Sequence, residues 1–276
     1  MEFTDEDIEP FTEFEKAGWE RAANAYHDHW GALSSQSATA MLEAAKVKRG
    51  TRVLDVATGA GYVASKAAEI GAIPTGLDFS LAQVELARQT FTNVTFQQGD
   101  AQDLPFENST FDAVVMGFGM NHLPDPEKST SEAWRVLKPG GMFAFTVWAT
   151  PKPGEGFGIV LSAIEKYGVP SAKLPPAPPY FRFADLQEVK AVLIPAGFSE
   201  ISTYVVPQFW RHQTPNQIFD AFNEGAVRAT AMLQSQPENV REVIRDVVCQ
   251  EVEKLKNGGE FLIPVPAALS VGSKQS

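Results

Sequence analysis

Val53-Leu54-Asp55-Val56-Ala57-Thr58-Gly59-Ala60-Gly61-Tyr62 is the stretch on which the reading of this chain turns. A short apolar run ends in glycines, and a helix-forming segment follows from Tyr62 to Ile70. The run suits a buried parallel strand. Glycines after it let the backbone approach a ligand closely, and the N-terminus of the next helix offers unpaired N–H groups. In an open α/β sheet this turn lies at the carboxyl edge of the strands, where ligands bind. The turn alone fits two cofactors. Gly59-Ala60-Gly61-Tyr62-Val63-Ala64 also satisfies a dinucleotide fingerprint, with Asp78 at nearly the spacing of a ribose-binding acid. Asp55 points the other way: a carboxylate beside the turn would repel a pyrophosphate but tolerate a cation or zwitterion.

Outward from this turn, strands and helices alternate. Ile73 to Asp78, 94–98, 113–116 and 142–148 read as strands; Leu81 to Thr90 and 127–137 read as helices, the latter stopped by Pro139-Gly140-Gly141. Alternation with short connections means a doubly wound sheet with helices on both faces. After Trp148 the regularity breaks. The proline-rich stretch 150–180, with Pro175-Pro176-Ala177-Pro178-Pro179, reads as a loop or cover. A helix at 185–193, a strand at 200–206, a helical block over 215–256 and a last strand at 261–271 complete the chain. Upstream, the first fifteen residues carry seven acids (Glu2, Asp5, Glu6, Asp7, Glu9, Glu13 and Glu15), interrupted by Phe3, Phe11 and Phe14. Three aromatics are expensive to leave in water, so this reads as a leader folded over the site, followed by helices over 16–47.

Bulk properties narrow the function. The 276 residues are 44% hydrophobic and 21% charged, an ordinary globular composition. A formal charge of -11 argues against nucleic acid and against an anionic membrane surface. No apolar run could span a bilayer, and the acidic start lacks the features of a signal peptide. A cytoplasmic location is the expectation. Cys249 is the single cysteine, so no disulfide can close within the chain. Four scattered histidines do not make a metal site, and none is expected. Oligomeric state leaves no mark in the sequence.

Three acids decide between the cofactors. Asp55, Asp78 and Asp100 fall at successive strand ends along one edge of the expected sheet. A lone Asp at a strand end is most often a cap or turn former, and three in register with a glycine turn weaken that reading. Downstream stand Phe111-Asp112-Ala113-Val114-Val115 and Arg135-Val136-Leu137-Lys138-Pro139-Gly140-Gly141. In this order, over about residues 49–150, the phrases resemble the class I S-adenosylmethionine-dependent methyltransferases. Within that superfamily the chain is most similar to the ubiquinone/menaquinone-biosynthesis type and its small-molecule relatives, which tolerate an alanine where Ala57 stands. Asn121-His122 departs from the Arg-Asn pair of the quinone enzymes, and the later inserts are not theirs.

The resemblance implies a Rossmann-like, mostly parallel seven-stranded sheet in a single α/β domain. Residues 1–47 would form a helical cap, 48–150 the cofactor-binding core, and 151–183 and 213–258 the proline-rich and helical covers. It implies S-adenosyl-L-methionine as cofactor. Ala57, Gly59 and Gly61 would lie against its methionine part, with Asp55 supporting the ammonium. Asp78 would hold the ribose, with Phe79 and Gln83 beside the adenine; Asp100 and Ala101 would read the adenine edge. Gly117 and Phe118 would close the far side, and Tyr26 and Trp30 would cap the site from the N-terminal helix.

Methyl transfer needs alignment and exclusion of water more than a strong catalytic signature. His122, after the fourth strand, is the candidate base; a structural histidine is the competing reading. Phe11, Met120, Trp148, Phe181 and Trp210 are the candidate substrate pocket. Together they describe a hydrophobic site with few polar anchors. The expected activity is methylation of a small, hydrophobic, ring-containing metabolite at a thiol or phenolic oxygen, with nitrogen or carbon ranked lower. A nicotinamide-dependent oxidoreductase is the alternative.

Overall fold

The computed structural model describes residues 3–170 and 174–275. Met1 and Glu2 of the acidic leader, residues 171–173 of the proline-rich stretch, and Ser276 lie outside them. The leader is not a separate segment. After a 3-10 turn at Asp5–Asp7, whose Asp7 carboxylate accepts from the Thr4 N–H and hydroxyl, one helix, α1 (Ile8–Ser34), runs for 27 residues. Phe11, Glu15, Gly18, Ala22 and Ala23 are buried along it at helical spacing, which a frayed tail could not provide. Helix α2 (Ala38–Ala44) follows.

The core then runs β1 (Arg52–Val56), α3 (Tyr62–Ile70), β2 (Ile73–Asp78), α4 (Leu81–Thr90), β3 (Thr95–Gln98), β4 (Phe111–Gly117), α5 (Pro126–Val136) and β5 (Leu137–Trp148). Beyond it lie α6 (Gly156–Tyr167), α7 (Leu186–Leu193), β6 (Phe198–Val206), β7 (Phe209–His212), α8 (Asn216–Glu224), α9 (Arg228–Gln234), α10 (Glu238–Glu253), β8 (Lys256–Asn257), β9 (Glu260–Pro264) and β10 (Ala267–Lys274). The main sheet has seven strands in the order β3-β2-β1-β4-β5-β10-β6. β3, β2, β1, β4 and β5 are parallel neighbours, and β10 is antiparallel to both β5 and β6. The chain winds outward from β1 to β3 and returns at β4. The carboxyl ends of β1 and β4 therefore flank the topological switch point, the crevice this architecture offers to ligands.

Three local expectations are corrected. Pro139-Gly140-Gly141 does not precede a strand beginning at Met142: β5 starts at Leu137, paired with Phe111, and a register shift between Phe111 and Ala113 absorbs the extra residues. The stretch 150–180 is not all loop. Its prolines sit at the ends, leaving 156–167 free to form α6, which buries Phe157, Ile159, Val160, Ala163 and Ile164. The last apolar run is two strands rather than one. Pro264 and Pro266 lack the N–H groups a continuous ladder needs. β9 consequently joins β7 and β8 in a three-stranded sheet, while β10 enters the main one.

Apolar packing divides between the faces of the sheet. One cluster joins α2 and α3 to Val53, Val115 and Ala144; another joins α5 and α7 to Leu54, Val114 and Phe143. A third unites Trp30 and Leu33 of α1 with Trp148, α6, α8, α10 and β9, so cap and covers share one apolar body over the carboxyl edge. Among the described residues no helix is long and apolar enough to cross a membrane.

Candidate active site

The glycine turn is built as a cradle. Ala57, Gly59 and Gly61 all have positive φ (52°, 53° and 87°), which bends the chain back from β1 into α3. Glycine adopts this freely; Ala57 holds it at a cost of about 1 kcal/mol. A β-carbon on Gly59 would meet only Gln83 Oε1, at 3.9 Å, so the space over it belongs to the cleft. One on Gly61 would strike the Phe96 ring at 2.6 Å, so Gly61 serves helix packing and does not line the cleft.

Two buried carboxylates organise this turn. Asp55 Oδ2 accepts from the Thr58 hydroxyl (2.6 Å) and the Ala64 N–H (3.0 Å), while Oδ1 has no partner among the described residues. Burial pushes the Asp55 carboxyl up to about 7, against the pull of those bonds. Asp78 accepts from the Gly59 N–H (2.8 Å) and the Ser80 N–H (3.0 Å), tying β2 to the turn. Burial raises it to about 6. Gln83 Oε1 is a second buried acceptor without a described partner.

These groups line a cleft of about 1110 Å³, its open mouth included. Tyr26, Ala57, Phe79, Asp100, Ala101, Gly117 and Phe118 line it too. Asp100 is exposed at the rim, its carboxylate turned onto the Gln102 N–H at 2.8 Å. The unpartnered Asp55 oxygen, the Gln83 acceptor and the open face of Gly59 fit a zwitterionic nucleoside with an ammonium group. Buried acceptors without donors are what such a ligand satisfies.

A second chamber of about 830 Å³ adjoins the first, and Trp19, Tyr26, Phe118 and His122 line both. Trp30, Trp148, Phe157, Tyr180, Phe181 and Arg228 line only the second. Of the residues expected around a substrate, Trp148 and Phe181 line this chamber. Four other expectations shift. Trp30 lies in the second chamber rather than over the glycine turn: its ring faces Trp210 at 4.4 Å, and its N–H donates to Ala221 O. Phe11, Met120 and Trp210 line neither cavity; each is buried in the core. Trp210 is held there because its N–H donates to the His29 carbonyl at 3.1 Å.

His122 follows β4 in a 3-10 turn, Met120–His122. Its Nδ1 donates to Glu15 Oε2 at 2.8 Å, and Trp19 Nε1 donates to the same oxygen at 3.1 Å. Glu15, on α1, is 3% exposed, so this acid of the leader is an inward group. Nε2 of His122 accepts from the Asn121 amide at 3.0 Å, and the Trp19 ring stands edge-on at 5.0 Å. Tyr180 belongs to the aromatics that the sequence already suggested for an acceptor pocket, whereas Glu15, Trp19 and Arg228 carried no signal beyond the general scatter of aromatics and charges.

The fold and cleft define a class: a Rossmann-like sheet with an acid-braced glycine turn at its switch point. Residues 54–145 match a family described as "Methyltransferase domain". Over these residues the core resembles that of the class I S-adenosylmethionine-dependent methyltransferases, and menaquinone-type enzymes are among its relatives. The demethylmenaquinone methyltransferase of Renibacterium salmoninarum is 38% identical over 105 residues, a match covering 38% of this chain and 44% of that protein. The chain thus matches less than half the length of this curated relative, and the likeness is confined to the core.

Solved structures extend the likeness of fold. The YcgJ protein of Bacillus subtilis superposes with a TM-score of 0.55 at 22% identity, covering 87% of this chain and 99% of that one. A phosphoethanolamine N-methyltransferase of Haemonchus contortus, bound to phosphomonomethylethanolamine and S-adenosylhomocysteine, gives 0.58 at 18%, covering 96% and 60%.

Proposed function

We propose that this protein transfers a methyl group from S-adenosylmethionine to a small, ring-containing hydrophobic acceptor at a thiol or phenolic oxygen. The observation that carries this reading is the wall shared by the two cavities. A cleft suited to a zwitterionic nucleoside meets an aromatic chamber at Trp19, Tyr26, Phe118 and His122.

When bound, S-adenosylmethionine supplies an electrophilic methyl carbon on a sulfonium. Asp55 and the N–H groups of the glycine turn would hold its methionine end, Asp78 its ribose, and Asp100 with Ala101 its base. Phe118 and Trp148, stacked with ring centroids 3.9 Å apart, give the chamber a flat wall against which a ring can lie. The covers over the chamber exclude water, so alignment of acceptor and donor supplies most of the rate. His122 takes the acceptor proton at Nε2 once the acceptor displaces the Asn121 amide. Glu15 holds the tautomer that leaves this lone pair available and steadies the imidazolium formed. The proton given up by the acceptor's thiol or phenol would end on His122. A small-molecule partner in the cytoplasm is part of this reading.

Titration with S-adenosylmethionine and with NAD tests the cofactor against the oxidoreductase alternative. Binding of the first alone is expected, and preferential binding of NAD would overturn the reading. With a panel of thiols and phenols, His122→Ala is expected to lower turnover by about 10²-fold or more while sparing cofactor affinity. Undiminished turnover would leave alignment as the whole mechanism.

A further inference from the structure

One cation in the aromatic chamber has no part in the chemistry described above. Arg228 is the first residue of α9, and its guanidinium lines the chamber beside Trp148, Phe157 and Phe181. Nη2 donates to the Pro175 carbonyl at 2.9 Å, which joins the proline run to α9 and fixes the plane of the group. Nη1 is shielded from solvent and has no hydrogen-bond partner among the described residues. No carboxylate among them forms an ion pair with this side chain. Burial disfavours its charged form, and the Glu15 carboxylate across the chamber offsets this only in part, without reaching it as an ion pair.

A half-buried guanidinium with an idle donor is costly unless something anionic meets it. Among the described residues the rest of the chamber wall is aromatic and aliphatic, its polar atoms carried by His122, the Tyr26 and Tyr180 hydroxyls and the Trp19, Trp30 and Trp148 indoles. Charge also gives the chamber a direction. Glu15 lies against His122 on the wall shared with the cofactor cleft, where it repels an anion. Arg228 lines only the far chamber and attracts one. A ring with a negative group would enter with that group on Arg228 and its opposite edge toward His122.

We propose that the acceptor is an aromatic carboxylate, and that Arg228 selects it by pairing with the carboxylate oxygens. This rests on the chamber being the acceptor site. Arg228 is then a specificity-determining residue, and charge separation between it and Glu15 orients the ring for transfer.

The test compares a hydroxynaphthoate with the matching hydroxynaphthamide, equal in shape but differing in charge. Binding is read by quenching of tryptophan fluorescence without cofactor, so the result stands whether or not S-adenosylmethionine binds. The wild-type protein is expected to bind the naphthoate about tenfold or more tightly than the amide, as a charge-assisted bond requires. Arg228→Gln should abolish that preference, and Arg228→Lys should restore part of it. S-adenosylhomocysteine affinity, measured on the same variants, should stay unchanged. Equal binding of the two probes by the wild-type protein would overturn the proposal, even if the Gln variant failed to fold. So would an Arg228→Gln protein that lost affinity for both equally, which is the signature of a merely structural contact to Pro175. Failure of the wild-type protein to bind S-adenosylhomocysteine would count against the methyl-transfer reading alone.

Discussion

Asp55 concentrates the chemistry of the cleft in one side chain. Its folded pKa of about 7 lies above its ordinary 3.8, so the native state holds a proton that the unfolded chain releases. For a raised carboxyl the stabilising contribution is fully present below the unfolded pKa and is lost as pH rises through about 7. Asp78, raised to about 6 in the same turn, adds a contribution of the same sign. A cationic ammonium held at Asp55, as proposed, would reverse the balance, because it needs the charged form of the carboxyl. Cofactor affinity is therefore expected to rise between about pH 5.5 and about pH 8, as the carboxyl ionises. Asp55→Asn should flatten that rise in calorimetric titrations and cost about tenfold or more in affinity at the upper end. The same variant, without ligand, should melt higher than the wild-type protein at about pH 8 and no higher at about pH 4. An Asn variant with the full wild-type pH dependence would remove Asp55 from the ammonium site.

Among the elements, α1 does the most to assemble the site. Glu20 accepts from the Leu81 and Ala82 N–H groups at the start of α4 (2.6 and 3.2 Å), a favourable place for a carboxylate. His27 Nδ1 shares a 2.6 Å hydrogen bond with the Tyr62 hydroxyl on α3. Glu15 holds His122 beyond β4, and Trp30 reaches α8. Close approach depends on Gly31, where a β-carbon would lie 2.0 Å from the Tyr62 hydroxyl oxygen. Gly31→Ala should thus push α1 off the glycine turn, costing about 1–3 kcal/mol of stability by overpacking. Thermal melts and S-adenosylhomocysteine titrations on one preparation would show both losses. A variant with native affinity would mean the cap is dispensable for cofactor binding.

Taken as one body, the molecule couples cofactor binding to its global stability. The cleft is lined by the cap, the glycine turn and the loop after β4 together, so an occupant bridges parts of the chain that unfolding separates. S-adenosylhomocysteine at a hundredfold excess over its Kd should add about 2.7 kcal/mol. For a chain of this size that corresponds to a rise in Tm of roughly 5 °C or more, readable by calorimetry. NAD at the same concentration should leave the melt in place, and an equal shift by NAD would revive the oxidoreductase reading.

The core was legible because its signals are local. Apolar runs, helix stops and the bend at Gly59 and Gly61 each lie within a few residues, and α3, β2 and α4 begin and end where their residues suggest. The three acids could be placed on one edge because parallel strands share a carboxyl side. Elements whose limits depend on partners were harder to read. β5 runs through Pro139-Gly140-Gly141 only because these residues bulge out of register opposite Phe111 to Ala113 of β4, and β9 and β10 part company at prolines that looked compatible with one strand. Glu15 and His122 are 107 residues apart, and nothing in either neighbourhood marks the pair. Arg228 likewise reads as one more helix cation until the proline run closes over it. Local geometry and side-chain period thus set the sheet and its glycine turn. The acid behind the histidine, the second chamber and its lone guanidinium were decided by tertiary packing, because burial and charge pairing arise only when distant segments meet.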